Sequence, residues 1–438
     1  PWLIFLLTWS LPLLIAEFGL GRGARRGPVG AFTALVGRSS AWMGGFVVVT
    51  AVMIMFYYSV VTGWALKYAS LTGLSGIPSD PEGYWNLYSV SVWQPVMFHI
   101  LAVSIGVLIV GRGVVSGIER ANRVLIPFLF GLLLLAVMRA ISLDGAGLGL
   151  SFLFKSDLSA LLNYRTWLEA LTQSAWSTGA GWGLILSYAV YVKRQDDVVT
   201  SSVAIGIGNN TASLLAAMAI LPTVFAILPQ GPAEEVLAAG NVGMTFIWIP
   251  QLFGQVSGGQ WLLPCFFLAL FFAALSSLIA MIELASRVFM DLGVSRRKAV
   301  AIVGAATCVC GIPSAVSPAV FENQDWVWGL ALMISGLFIS VAVTRYGPSR
   351  FRNDFLKESV DIGPSFDWMI RRFIPLQFVV MFGWWMYQAV VVYDPEGWWN
   401  PFRTYSLGTC LAQWGLVLLI LAVFNSKLAA ASVSVAKT

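Results

Sequence analysis

Long apolar runs recur along the whole chain, and they constrain its fold more than any other feature of the sequence. An α-helix needs about 20 apolar residues to cross the hydrocarbon core of a bilayer. Runs of this kind, separated by short polar or Gly/Pro-rich segments, predict eleven spanning helices within a single domain, 1–438. Their approximate limits are 1–20, 41–69, 92–110, 121–142, 168–192, 198–228, 260–291, 297–316, 325–344, 371–393 and 404–425. We therefore predict an all-α, polytopic membrane helix bundle.

Charged residues are too few for a chain of this length to cover a soluble surface. They make up 11% of the 438 residues, whereas about 25% is usual in soluble domains. A net charge of +5 could indicate nucleic-acid binding in a soluble protein. Here the basic residues lie between the apolar runs, where they orient helices in a membrane. The predicted partner is therefore the lipid bilayer and not a nucleic acid.

Lys and Arg are distributed unequally between the two sets of alternate connections. Of the 26 basic residues, 21 fall in one set and 5 in the other. Because cytoplasmic loops are enriched in Lys and Arg, this asymmetry predicts a multi-pass protein of the cell membrane with its C-terminus in the cytoplasm. The sequence begins at Pro1 directly in an apolar run, and we expect it to be a fragment.

Three glycines interrupt the apolar run 168–192. They are Gly179, Gly181 and Gly183, within the stretch QSAWSTGAGWG. Small residues can serve close helix packing, but packing faces repeat every three or four residues and not every second one. Each glycine also weakens a helix interior by about 1 kcal/mol relative to alanine. The spacing therefore predicts a broken helix whose free backbone groups line a polar cavity.

Uncharged polar side chains stand out in two other runs. Ser276 and Ser277 are adjacent in an apolar helix. Their hydroxyls could bond back to a carbonyl one turn earlier, or they could group with carbonyl oxygens around a small hard cation such as Na⁺, and the sequence leaves both readings open. Asn209 and Asn210, with Ser213 one turn after Asn209, are amides in hydrocarbon and should face a partner or a site.

Four acidic residues lie in or beside apolar runs, namely Glu17, Glu283, Asp291 and Asp325. Each is a functional hypothesis because charge within a membrane is costly, although Asp291 and Asp325 could be ordinary interface charges. For the single His99 we expect a packing role. The sequence carries no Ser-His-Asp order, no HExxH motif and no phosphate-binding loop. We therefore expect neither an enzyme nor an organic cofactor.

Two connections on the outer side are long, 143–167 and 229–259. Their apolar stretches are too short to span a bilayer. They could be ordered caps over an external vestibule or plain loops, and the pattern alone does not distinguish the two.

Several motifs are similar, in sequence and in order, to those of a known family. They are PLLIAEFGLGR at 12–22, YYSVVTGW at 57–64, GIERANRVLIP at 117–127, GLSFLFKSDLSALLNYRTWLEALTQSAWSTGAGWG at 149–183, GNVGMTFIWIPQLFGQVSGG at 240–259, AALSS at 273–277 and the loop 321–325. Over essentially its whole length the chain resembles the neurotransmitter:sodium symporter family, in its bacterial and archaeal amino-acid branch. The resemblance implies a leucine-transporter-like fold, with two inverted five-helix repeats and two further helices. In that scheme the eleven helices are the second to the twelfth, and the first is absent from this chain.

The resemblance also implies a set of ligands by position. The implied substrate-binding residues are Ile54, Tyr58, Trp176, Gly179, Trp182, Ser277 and Met281. The implied sodium ligands are Ser177 and Asn209 at a first site, and the Ala273 carbonyl with Ser276 and Ser277 at a second. Tyr58 is expected to bond the carboxylate of the substrate.

Four residues resemble gate or support positions of the family. Asp325 is similar to the acid of the outer gate, and Asp291, with Tyr191 nearby, is similar to the acid of the inner gate. Glu17 resembles an acid that supports unwound backbone.

A chloride site is a further implication of the resemblance. Gln173, Ser177 and Ser213 resemble the chloride ligands of animal members, and neither serine is replaced by the carboxylate found in chloride-independent relatives. Trp2, however, occupies the position of the tyrosine that usually completes this site. Chloride dependence therefore stays open at this stage.

The function implied is sodium-coupled symport of an amino acid into the cell by alternating access, with Na⁺ as the coupling ion. The pocket residues favour an apolar or aromatic substrate. A homodimer is possible. The alternatives are a proton-coupled transporter of the same fold and a non-transporting membrane sensor or scaffold subunit.

Overall fold

The computed structural model describes residues 1–155, 158–238 and 240–434, and every regular element within them is helical. The principal helices are α1 (Trp2–Ala24), α2 (Arg38–Ser75), α3 (Pro81–Val90), α4 (Trp93–Gly111), α5 (Val114–Ile141), α6 (Ala146–Phe154), α7 (Tyr164–Ser177), α8 (Leu184–Ala189), α9 (Val198–Ile227), α10 (Gln230–Ala238), α11 (Ile249–Gln255), α12 (Gly259–Asp291), α13 (Arg296–Val316), α14 (Pro318–Tyr346), α15 (Gly363–Tyr393), α16 (Leu407–Val423) and α17 (Asn425–Ser434). The fold is all-α, as the sequence predicts.

Within the described ranges, nine helices are long and apolar enough to cross a membrane, or ten if α16 and α17, bent by 62° at their junction, count as one span. The run 168–192 is absent from these because it is divided into α7 and α8. Observed limits also differ from the sequence estimates, since α2 continues to Ser75 and α15 begins at Gly363. Polar residues at helix ends extend a helix beyond its apolar run, and apolarity alone does not mark them.

The helices divide into a buried scaffold and a lipid-facing periphery. In their most apolar windows α1 and α14 are 72% buried, whereas α5 and α15 are 22% buried. Every residue of α1 from Leu11 to Arg22 is buried. α5 and α15 therefore have broad faces that no other part of the protein covers. An α-helix can face lipid in this way because its backbone hydrogen bonds are satisfied internally. α1, α2, α12 and α14 form the interior, with α2 packed along α12.

The two long connections, 143–167 and 229–259, form short helices and not plain loops. The first contains α6 and a 3₁₀ turn, Leu158–Leu162, and the second contains α10 and α11. An aromatic cluster ties the second connection to the bundle: the Phe246 ring stacks on Trp85 with centroids 5.0 Å apart, and Trp64 meets Trp85 edge to face at 5.2 Å. The described parts of these segments are therefore ordered, and their place over an external vestibule stays a prediction.

Candidate ion and substrate site

The centre of the candidate site is the gap between α7 and α8. α7 ends at Ser177, and α8 begins at Leu184. Gly179, Gly181 and Gly183 all have left-handed backbone, with φ of 67°, 90° and 77°, a conformation that glycine adopts without steric cost. Gly181 also needs its lack of a side chain, because a Cβ would lie 2.7 Å from the Gly336 Cα. The broken helix predicted from the glycine spacing is confirmed.

Glu17 of α1 satisfies backbone groups that the break sets free. Its carboxylate accepts hydrogen bonds from the Gly181 N–H at 2.6 Å and the Leu186 N–H at 3.1 Å. The side chain is fully buried. An N–H without a partner in a low-dielectric interior costs several kcal/mol, so a carboxylate that reaches two of them stabilises both the unwound segment and the start of α8.

Ser276 and Ser277 lie near the midpoint of α12. The Ser276 hydroxyl donates to the Ala273 carbonyl at 2.7 Å, and the Ser277 hydroxyl donates to the same carbonyl at 3.4 Å. Back-bonding to the preceding turn is therefore what the structure shows. The same geometry gathers three uncharged oxygens, and the Tyr58 side chain of α2 lies close to Ser277.

A second polar group connects α7 with α9. The Asn209 amide donates to the Ser177 hydroxyl at 2.7 Å, and the Ser213 hydroxyl donates to the Asn209 carbonyl at 3.1 Å. Gln173 lies one turn before Ser177, and both line the same cavity. The structure thus brings together the residues that sequence resemblance assigns to the first sodium and to chloride.

The apolar residues expected around a substrate belong to one buried core. Ile54 of α2 and Met281 of α12 are 0% and 1% exposed. The Trp176 ring, at the end of α7, and the Trp182 ring, within the unwound segment, meet edge to face with centroids 5.4 Å apart. At Gly179 an added Cβ would meet no atom within 4 Å, so there is open space at this glycine.

A cavity of about 730 Å³ leads to the break. Gln173, Trp176, Ser177 and Asp325 are among its lining residues. Asp325 is exposed to this cavity and lies beside Tyr57 of α2. Among the described residues Asp325 has no ion-pair partner, which leaves its charge facing the cavity.

At the opposite end, Tyr191 is linked to two acidic residues, one directly and one through an arginine. Its hydroxyl donates to Glu283 at 2.7 Å, whereas its connection to Asp291 is indirect. Arg287 pairs with Asp291 at 2.7 Å and donates to the Tyr191 hydroxyl at 3.4 Å. Tyr191 thus lies near Asp291, and the structure adds Glu283, which the sequence marks only as one of four acidic residues in or beside apolar runs.

The partner of Glu283 is Arg296, at the start of α13. One guanidinium nitrogen donates to Glu283 Oε1 at 3.2 Å, the other donates to Oε2, and the Arg296 Nε donates to the Val110 carbonyl at 3.0 Å. Glu283 is completely buried. The two hydrogen bonds to Glu283 join α13 to α12, and the bond to Val110 joins α13 to α4.

Arg296→Ala is expected to loosen this end of the site. Removing one partner of a buried pair costs about 3–5 kcal/mol, because a charge is left buried alone. Hydrogen exchange followed by mass spectrometry should show at least about tenfold faster exchange across 184–191. The matched control is Arg350→Ala, which breaks an exposed pair with Asp354 and should leave exchange there unchanged. Equal exchange in the two variants would contradict a bracing role for Arg296.

His99 takes the packing position expected of it. It is buried, and its Nε2 lies 3.2 Å from the Cys308 carbonyl oxygen. Gly311 of α13 approaches the imidazole so closely that a Cβ there would lie 2.4 Å from the ring. His99 therefore joins α4 to α13 and stands apart from the site at the break.

Three features of this site can be compared with those of known proteins. They are the break between α7 and α8, the carboxylate of Glu17 that bonds it, and the uncharged oxygens on α9 and α12. The model of the Sodium:neurotransmitter symporter family matches residues 89–431. The chain belongs to this family. Its members are sodium symporters and not enzymes, and the long apolar helices agree with a multi-pass membrane protein.

Individual relatives agree with this assignment. An uncharacterised sodium-dependent transporter of Methanocaldococcus jannaschii is 32% identical over 318 residues, which cover 69% of this chain and 64% of that protein. An uncharacterised sodium-dependent transporter of Bacillus subtilis is 28% identical over 412 residues, or 86% of this chain and 87% of that protein. The crystal structure of MhsT in complex with L-phenylalanine is similar in fold, with a TM-score of 0.77, 26% identity and coverage of 87% of this chain and 89% of that one.

Proposed function

We propose that this protein couples the entry of Na⁺ to the uptake of an amino acid with an apolar or aromatic side chain. The observation that carries the proposal is the unwound segment 178–183, which lies between uncharged oxygens on neighbouring helices. Hydroxyl, amide and carbonyl oxygens are the ligands that suit a small hard cation, and none of them undergoes redox or hydrolytic chemistry.

Na⁺ would bind at two places within this region. Ser177 and Asn209 would bind the first ion. The Ser177 hydroxyl oxygen and the Asn209 amide nitrogen are 2.7 Å apart. The Ala273 carbonyl with Ser276 and Ser277 would serve the second, because a hydroxyl that donates to a carbonyl still has lone pairs to offer a cation. Neither place holds a side chain that titrates, which disfavours the proton-coupled alternative.

The substrate would lie beside the break. Tyr58 would hold its carboxylate, and Ile54, Trp176, Trp182 and Met281 would enclose its side chain. Open space at Gly179 favours a bulky group over glycine. The L-phenylalanine bound to MhsT supports the same class of substrate.

Transport would proceed by alternating access. The cavity that contains Asp325 and Trp176 would be the outer vestibule, and the Tyr191–Glu283–Arg296 contacts would close the cytoplasmic side. With this orientation the C-terminus lies in the cytoplasm, as the distribution of Lys and Arg favours. Closure of Trp176 over the substrate, followed by separation of the lower contacts, would release Na⁺ down its gradient and the substrate with it.

Uptake into liposomes that contain the purified protein tests the proposed substrate class. With an inward sodium gradient, radiolabelled L-phenylalanine should accumulate, and excess leucine or tryptophan should suppress its uptake more than excess glycine or taurine. Preference for glycine or taurine would contradict an apolar or aromatic specificity.

Replacing chloride with gluconate is a second arm of the experiment. We propose that Gln173, Ser177 and Ser213 bind chloride, so uptake should fall in gluconate, and equal uptake in the two anions would reject this part.

A further inference from the structure

Three buried hydroxyls form a group at the Ser174 carbonyl, in the last turn of α7 before the break. The Ser10 hydroxyl of α1 donates to the Ser174 carbonyl at 2.9 Å and lies 3.0 Å from the Ser174 hydroxyl. The Thr178 hydroxyl lies 2.9 Å from Ser10 Oγ and 2.9 Å from the same carbonyl. Ser10 and Ser174 are 0% exposed, and Thr178 is 8% exposed.

The Ser174 carbonyl lies in the last turn of α7, directly before the break. After it the helical pattern of backbone bonds gives way to a tighter turn, in which the Gly179 N–H donates to the Trp176 carbonyl at 3.4 Å. No further helical turn follows to hold this end of α7. The Ser10 hydroxyl therefore adds a bond from a neighbouring helix at the place where α7 ends.

Ser10 is the member of this group that comes from another helix. It ends the π-helical turn Leu6–Ser10, a local widening of a helix that is often found at functional positions. Seven residues separate Ser10 from Glu17, which is two helical turns, so both side chains project from one face of α1. α1 therefore bonds the broken helix at two places. Ser10 bonds the end of α7, and Glu17 bonds the unwound segment and α8.

We propose that Ser10 is a positioning residue for the first sodium site. By fixing the final turn of α7, it keeps the Ser177 hydroxyl next to the Asn209 amide, at their observed separation of 2.7 Å. The proposal rests on the sodium-coupled function proposed above. Ser10 itself contacts neither Ser177 nor Asn209 through its side chain, so its effect on the ion is indirect and passes through the Ser174 carbonyl.

A hydroxyl that only fills space would affect stability and not the response to sodium. The two roles separate in the sodium dependence of uptake, measured as the concentration for half-maximal uptake and as the maximal rate. Ser10→Ala should raise the half-saturating sodium concentration about three- to tenfold, the range expected when a buried carbonyl loses one hydrogen-bond donor. Its maximal rate should stay close to that of the unmodified protein.

Ser202→Ala is the matched control. Ser202 is also buried, 0% exposed, but its hydroxyl bonds the Val198 carbonyl of its own helix, α9, at 2.8 Å. The control should shift sodium half-saturation by less than about twofold. A shift in Ser202→Ala as large as that in Ser10→Ala would overturn the proposal, because any lost buried hydroxyl would then have the same effect.

Thr178→Val provides an independent variant in case Ser10→Ala does not fold. It removes the second donor to the same carbonyl and should also raise the half-saturating sodium concentration. An unchanged sodium dependence in either folded variant would refute the positioning role. If the unmodified protein shows no sodium-dependent uptake, the proposed function fails instead, and the two failures are distinguishable.

Discussion

Replacing Ser276 and Ser277 together with alanine is expected to abolish sodium-stimulated substrate binding. The double variant removes two of the three α12 oxygens that we propose bind the second sodium and leaves only the Ala273 carbonyl. A hydrogen bond or contact to a charged group contributes about 1.5–3 kcal/mol. Losing two should therefore weaken sodium binding by at least about 100-fold. The measurement is a sodium titration of radiolabelled L-phenylalanine binding to the purified protein.

A serine elsewhere on the same helix provides the control. Ser286 is also on α12, 0% exposed, and its hydroxyl has no hydrogen-bond partner among the described residues. Ser286→Ala should leave the sodium titration unchanged, because alanine removes a buried polar atom that forms no bond. The sodium dependence of binding could instead be the same in the double variant and in Ser286→Ala. The hydroxyls of Ser276 and Ser277 would then only bond back within their helix, and the proposal of a second sodium site would be wrong.

Glu17→Gln is expected to have the second large effect. The carboxylate accepts from the Gly181 and Leu186 N–H groups at 2.6 and 3.1 Å. Glutamine keeps the shape but has only one acceptor oxygen, and its NH₂ group would face one of these N–H donors. The cost of such a mismatch in a buried site is about 1–3 kcal/mol or more. We expect uptake to fall to at most about a tenth of that of the unmodified protein.

Two further measurements test whether the loss of uptake in Glu17→Gln arises at the unwound segment. Hydrogen exchange should increase across 179–186 in Glu17→Gln and stay unchanged across the distant helix α4. Glu119→Gln, an identical change at an exposed position, should preserve uptake. Normal uptake and exchange in Glu17→Gln would mean that the unwound segment does not need a carboxylate behind it.

The break at 178–183 could be predicted from the sequence, and the reason is physical. Glycines at every second position match no helical packing face, and all three adopt left-handed backbone. Glu17 was also recognisable, because a carboxylate within an apolar run needs a partner. The resemblance to the family then placed Ser177, Asn209 and the α12 serines in one region, where the structure brings Ser177 and Asn209 into contact.

Other features could not be predicted because their signals are weak or distant in sequence. Arg296 looked like an ordinary basic residue at a helix start, and nothing in the pattern showed that it reaches the buried Glu283. Ser10 is a small hydroxyl in an apolar helix, which by default bonds within its own helix. Its contact with the Ser174 carbonyl joins residues that are 164 positions apart in the sequence. In both cases the chemistry depends on tertiary proximity.

Helix limits were less predictable than helix identity for a related reason. Apolar runs mark the part of a helix that lies in hydrocarbon, whereas α2 and α15 continue past it into polar sequence. The short helices α10 and α11 lie outside the span-length criterion altogether. The number of spanning helices, the role of the chain as one domain, and possible dimerisation remain predictions.

The measurement that tests the central claim most directly compares ion gradients across liposomes that contain the purified protein. We expect an inward sodium gradient to drive accumulation of radiolabelled L-phenylalanine, and an inward proton gradient in potassium buffer to drive none. Accumulation driven equally by protons, or phenylalanine uptake that is indifferent to sodium, would contradict an ion site built from uncharged oxygens beside the broken helix.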